Sequence, residues 1–156
     1  MGTPYDLIFD KFIKKLKNDD GIFSYKDLTE EQIEEMVESH LISLLGRAID
    51  KIYMFGLPTV DFYNKDDTLQ AFNFDLVNQE ISLISDIMYL EYLEEDKNKL
   101  KAFGLTFKNS ELNLFSPAND RKTFLDMIYK IEKTTIANIN TYFSRDRLTW
   151  EIKSIY

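Results

Sequence analysis

The chain has 156 residues, 44% hydrophobic, 29% charged and 14% aromatic, with a formal charge of -8, one histidine and no cysteine. A single domain of this length buries about 70% of the surface its unfolded chain exposes, so a core forms without covalent staples. With no cysteine and His40 as the lone histidine, a thiolate nucleophile, an iron-sulfur site, a Cys-type zinc site and a two-histidine metal site are all excluded.

The start, Met1-Gly2-Thr3-Pro4-Tyr5-Asp6, lacks the basic and apolar regions of a secretory signal, and no run of ~18 apolar residues follows, so neither export nor a membrane span is expected. Asp6 stands where myristoylation at Gly2 would need Ser or Thr. Thr3 before Pro4 reads as an N-cap followed by proline at the first helical position, which predicts a helix starting there. Tyr5, Ile8, Phe9, Phe12, Ile13 and Leu16 recur at helical spacing, and Asn18-Asp19-Asp20-Gly21 ends the pattern.

Thr29 as cap, Gln32 reaching back and Leu28 stapled onto Ile33 predict a second helix over about 30 to 55, closed by Gly56. Its apolar stripe includes Val37, His40, Leu41, Leu44, Leu45 and Ile52. The opposite face carries Glu30, Glu31, Glu34, Glu35 and Glu38, either as ordinary solvated surface or as an acidic wall. Between 57 and 76 the helical period is lost. Pro58, Asn64, Asp66 and Asp67 punctuate Val60-Asp61-Phe62 and Phe72-Asn73-Phe74, which predicts a structured loop or small hairpin.

Asp75-Leu76-Val77-Asn78-Gln79-Glu80-Ile81 echoes Asp27 to Ile33, so the same helix-start geometry is expected twice. A third helix, about 78 to 103, is apolar nearly all round its first half and reads as the central helix, with Gly104 as its stop. Leu105-Thr106-Phe107 and Leu112 to Phe115 suggest a short hairpin or loop. Ser116-Pro117 repeats the cap-plus-proline signal ahead of a fourth helix reaching about Phe143. Beyond Ser144-Arg145-Asp146-Arg147, Leu148, Trp150 and Ile152 alternate with Thr149, Glu151 and Lys153 at strand period.

The expected fold is therefore mainly α: a four-helix antiparallel bundle-like domain over 1–143 with short β-hairpin or loop insertions, and an extended C-terminal arm over 144–156. Ordering that arm costs more backbone entropy than burying its few apolar side chains returns. A partner's sheet edge or groove is expected to supply the difference, against the alternative that the arm folds back on its own domain.

Charge divides unevenly: -4 through Gly56, -6 from Leu57 to Gly104 and +2 from Leu105 onward. Such a surface repels a duplex over most of its area, while the mildly basic last third suits an acidic protein or an acidic part of another copy. Five scattered glycines cannot form a nucleotide-binding loop. His40 sits on an apolar stripe and reads as a packed or interface histidine. The carboxylate pairs Glu34 with Glu38 and Glu91 with Glu95 have no supporting shell in view. No catalytic function, cofactor or metal is expected.

Phe72-Asn73-Phe74-Asp75-Leu76, Met88-Tyr89-Leu90-Glu91-Tyr92-Leu93-Glu94, Phe115-Ser116-Pro117-Ala118-Asn119-Asp120-Arg121 and Ser144-Arg145-Asp146-Arg147-Leu148-Thr149, spread over about half of the chain, carry a resemblance. In these segments the chain resembles the head-to-tail connector (neck or adaptor) structural proteins of tailed bacteriophages that infect Gram-positive bacteria. The resemblance implies a homo-oligomeric ring at the head-tail junction of the virion, assembled in the bacterial host cytoplasm. The ring would bind the portal and an adjacent neck or tail protein and let DNA pass without specific binding, with no membrane involved. On this reading Arg145, Arg147, Leu148, Trp150, Ile152 and Tyr156 contact the portal or a neighbouring subunit. The alternative is an acidic regulatory protein that mimics DNA to occupy a basic partner.

Overall fold

The computed structural model describes the backbone of residues 2–16, 30–106 and 118–154, with side chains placed for 2–15, 37–95, 122 and 125–154. Four helices, α1 (Asp6–Leu16), α2 (Glu30–Phe55), α3 (Asn78–Thr106) and α4 (Ala118–Ser144), carry most of the chain. Two short strands, β1 (Lys65–Asp66) and β2 (Ala71–Phe72), form an antiparallel hairpin between α2 and α3, with Lys65 opposite Phe72. The chain is thus a mainly helical, bundle-like domain with a hairpin insertion. Among the described residues, no helix is long and apolar enough to cross a membrane.

The hub is α3, which packs against each of the other three helices. Its first half is apolar on several sides because three neighbours cover it: Ile84, Ile87, Met88 and Leu90 are all fully buried. Lys11 reaches Ser82 and Lys15 pairs with Asp86, so α1 runs parallel to α3. Lys51 meets Glu91 at 3.1 Å and Arg47 pairs with Glu95, which sets α2 antiparallel to α3. The C-terminal end of α4 lies against the first turn of α3, where the Tyr142 hydroxyl donates to Glu80 at 2.8 Å.

Helix boundaries follow the sequence signals except where a distant partner or a tolerated residue wins. Thr3 does not cap α1, which starts at Asp6. It joins the hairpin instead: the Thr3 N–H donates to the Phe74 carbonyl at 3.1 Å, and the Phe72 N–H donates to the Thr3 carbonyl at 2.8 Å. Its hydroxyl accepts the Leu76 N–H at 2.8 Å, so it secures the entry to α3. Pro4 forms an isolated antiparallel bridge with Ala71, an edge position where a missing N–H is harmless. Gly104 does not stop α3, which continues to Thr106; a helical glycine costs about 1 kcal/mol and does not by itself end a helix. Leu105 and Thr106, expected in a short hairpin or loop, instead form the last two residues of α3; the rest of that stretch from Phe107, the Thr29 cap, the Gly21 stop and the Ser116-Pro117 signal lie outside the described residues.

Candidate functional site

The N-terminal residues 2–5, the hairpin, the start of α3 and the end of α4 all gather at one end of the bundle, and the C-terminal tail closes it. Past Ser144 the chain turns back on itself. Arg145 faces Ile152 in an isolated antiparallel bridge, the Lys153 N–H donates to the Ser144 carbonyl at 2.9 Å, and the Asp146 N–H donates to Glu151 at 2.7 Å. The carboxylate of Asp146 accepts the N–H groups of Leu148 and Thr149, both at 2.9 Å. These backbone donors, Thr149 first and then Leu148, hold the Asp146 carboxyl below the usual carboxylate range. The tail's backbone is therefore bonded within the tail, and residues 145–154 turn at 147–149 and fold back on their own domain in place of the expected extended arm.

At the tip of this loop Trp150 has φ of +62°, a left-handed conformation that costs a bulky L-residue roughly 1–2 kcal/mol. It is held by the Trp150 N–H donating to the Asp146 carbonyl and by Arg145 Nη1 donating to the Trp150 carbonyl, both at 2.9 Å. The Arg145 guanidinium also sits 5.9 Å from the indole centroid. Trp150 is half-buried and packs against the hydrophobic core.

Glu80 anchors the tail. It is the third residue of α3 and has 0% exposure, so its carboxylate must be fully partnered. It accepts the Val77 N–H at 3.0 Å, half of a capping box, and the Tyr142 hydroxyl at 2.8 Å. Arg147 supplies the charge, with Nε at 2.5 Å and Nη2 at 3.0 Å, and its Nη2 also donates to the Asp75 carbonyl at 2.6 Å. The hydrogen bond to Glu80 raises the Arg147 pKa. Burial, and then the Glu80 charge, push the Tyr142 phenol well above its ordinary value.

The six tail residues singled out from sequence thus divide. Arg145 and Arg147 make internal bonds and Trp150 packs inward, whereas Leu148 and Ile152 stand 77% and 72% exposed. Tyr156 lies outside the described residues. Of the acidic face, Glu38 is exposed and accepts from Gln70 Nε2; Glu30, Glu31, Glu34 and Glu35 belong to α2 by backbone, with side chains beyond those described. His40 Nε2 lies 3.1 Å from Glu95, and its ring meets Tyr92 edge-on at 6.4 Å. Glu91 and Glu95 are engaged by bases of α2 and tie the two helices together. Among the described residues, no three His, Asp or Glu side chains converge as a metal ion would require.

Beside Trp150, an open groove of about 310 Å³ runs between α3 and α4. Its walls include Asn78, Gln79 and Leu83 from α3, and Asn138, Thr141 and Tyr142 from α4. Sequence reasoning missed both the groove and the Glu80 anchor. The one available signal was the helix-start echo at 75–81, which puts Glu80 at the capping-box position but is silent about Arg147, 67 residues away. Comparison with protein-family models, with curated proteins and with solved structures returned no match.

Proposed function

We propose that this chain is a structural subunit that assembles with copies of itself through its folded-back tail. Within that class, the reading is a ring component of the phage head-tail junction that binds the portal and lets DNA pass without specific binding. One observation carries the assembly reading: two large aliphatic side chains, Leu148 and Ile152, stand 77% and 72% exposed on a loop that internal bonds hold in one conformation. Apolar groups on a pre-ordered backbone need little further ordering to dock, which is what makes a contact strong for its area. Charge supports a head-to-tail arrangement, because the last third carries +2 while the two preceding portions carry -4 and -6. Unlike patches meeting head to tail close into a ring when the rotation between successive copies divides a full turn. The DNA-mimic reading draws less support, since Asp86, Glu91 and Glu95 are neutralised by Lys15, Lys51 and Arg47 of the same chain.

The test is the mass of the native assembly, by sedimentation and native mass spectrometry, for the wild type and for a Leu148→Ser/Ile152→Ser variant. Burying the exposed parts of both side chains is worth about 2–4 kcal/mol, so association should weaken by about 30- to 1,000-fold with helicity unchanged. A wild-type chain that is monomeric throughout its soluble range, or a double variant that assembles normally, overturns the reading.

A further inference from the structure

The groove beside Trp150 has a composition that assembly does not explain. We propose that it binds a neutral polyhydroxylated ligand, a mono- or disaccharide unit, with the Trp150 indole as stacking wall and the amides of Asn78, Gln79 and Asn138 as its hydrogen-bonding groups.

Trp150 packs against the edge of the core without being enclosed by it. It is half-buried, lines the groove, and its indole N–H makes no hydrogen bond among the described residues. The backbone adopts a left-handed conformation to set it there, and such conformations concentrate at ligand clamps. The face of an indole stacks on the C–H bonds of a pyranose ring, an apolar contact that leaves the ring hydroxyls pointing sideways.

The neighbouring walls offer what those hydroxyls require. Asn78, Gln79 and Asn138 are exposed, and their amides make no side-chain hydrogen bond among the described residues. Each amide carries both donors and an acceptor, matching the double character of a hydroxyl. Thr141 is committed to the Ala137 carbonyl and Ser82 to Lys11, so the three amides are the groups left to bind.

Charge then narrows the ligand. Asp86 in the groove pairs with Lys15, and Glu80 beneath it pairs with Arg147. Glu80 also accepts the N–H of Val77, the residue that precedes α3, so a carboxylate of the chain itself already sits at the helix start where a phosphate would have to come. With no free charge in the lining, a neutral ligand fits better than an anion or a cation. A volume of about 310 Å³ stands at the lower end of small-molecule sites, about 300–1,000 Å³, and suits one or two sugar rings. A nucleobase would also stack on indole, but sandwiching it needs a second open ring face, and Tyr142, the other aromatic residue of the lining, is only 5% exposed with its hydroxyl held by Glu80.

Because Trp150 is the chain's only tryptophan, its fluorescence reports on this groove without background. The full chain is titrated with glucose, galactose, N-acetylglucosamine, maltose and cellobiose, and separately with adenosine and cytidine. A saturable emission change with at least one saccharide, weakened tenfold or more by Asn138→Ala at unchanged circular dichroism and melting temperature, supports the proposal. No saturable change with any saccharide, a response to nucleosides alone, or equal saccharide affinity in Asn138→Ala and Asn78→Ala/Gln79→Ala overturns it.

Discussion

Replacing Arg147 with Met keeps most of the aliphatic stem but removes both bonds to Glu80 and the bond to the Asp75 carbonyl. Glu80 then remains at 0% exposure with only the Val77 N–H and the Tyr142 hydroxyl. Removing one partner of a buried ion pair costs about 3–5 kcal/mol, mostly the penalty of the charge left behind. Arg147 is 17% exposed, so water reaches part of the vacated space and the low end, about 3 kcal/mol, is expected. At about 2–4 °C per kcal/mol for a chain of this size, the melting temperature falls by about 6–12 °C. Urea unfolding followed by far-ultraviolet circular dichroism measures the global loss, and Trp150 emission shows whether the tail opens first. Glu80→Gln combined with Arg147→Met should lose less than the sum of the single changes, because the buried charge goes with its partner. An Arg147→Met variant within about 1 kcal/mol of wild type, the range of surface pairs, or strict additivity in the double variant, refutes the anchoring argument.

Alkaline pH should loosen the fold at its tyrosines. Burial and Glu80 raise the Tyr142 phenol, and burial and Asp67 raise Tyr5, so the folded chain keeps protons that the unfolded chain releases near the ordinary phenol value of about 10. Their stabilisation is complete below that value and is lost as pH climbs beyond it; urea midpoints should fall between about pH 9 and pH 11, with a shallower slope in Tyr142→Phe. Two glycines should respond with opposite signs. An added Cβ at Gly46, inside α2, meets nothing within 4 Å, so Gly46→Ala should stabilise by about 0.5–1 kcal/mol in thermal unfolding. At Gly2 the Cβ would run into the Phe72 carbonyl, so Gly2→Ala should destabilise and weaken protection of the Phe72 amide in hydrogen exchange.

What the sequence revealed depended on how locally each feature is encoded. Helical periodicity is local: α2 at 30–55, the start of α3 at 78 and the end of α4 near 143 were all legible. The all-round apolar character of Ile81 to Leu93 correctly marked α3 as the helix its neighbours cover. Thr3 shows where local reading fails, since a cap signal competes with a hairpin more than 60 residues away and loses to it. Arg147 fails for a related reason: burying a guanidinium is unfavourable unless a carboxylate waits for it, and no pattern near 147 announces Glu80. The alternation of Leu148, Trp150 and Ile152 reads as strand, yet residues 147–149 turn and Trp150 is left-handed, so the stretch is a loop closed by the Arg145–Ile152 bridge; a period of two over three residues does not separate a strand from such a loop.

The polar groups of α3 explain how a central helix keeps its register. Along a helix packed on several sides through Leu, Ile and Met, apolar contacts are not directional and distinguish one register from the next less sharply than paired charges do. Along α3, Glu80 is met by Arg147 of the tail, Ser82 and Asp86 by Lys11 and Lys15 of α1, and Glu91 and Glu95 by Lys51 and Arg47 of α2. Each neighbour is therefore pinned at one axial position, and a one-turn slip would leave several of these charges facing apolar surface. The bases used for this already have partners within the chain. Lys122, Lys130 and Lys133 on α4 stay exposed, as does Glu38 on α2. On the assembly reading, the charges that would steer one copy onto the next are those that registering α3 does not use: lysines on α4 and the acidic start of α2.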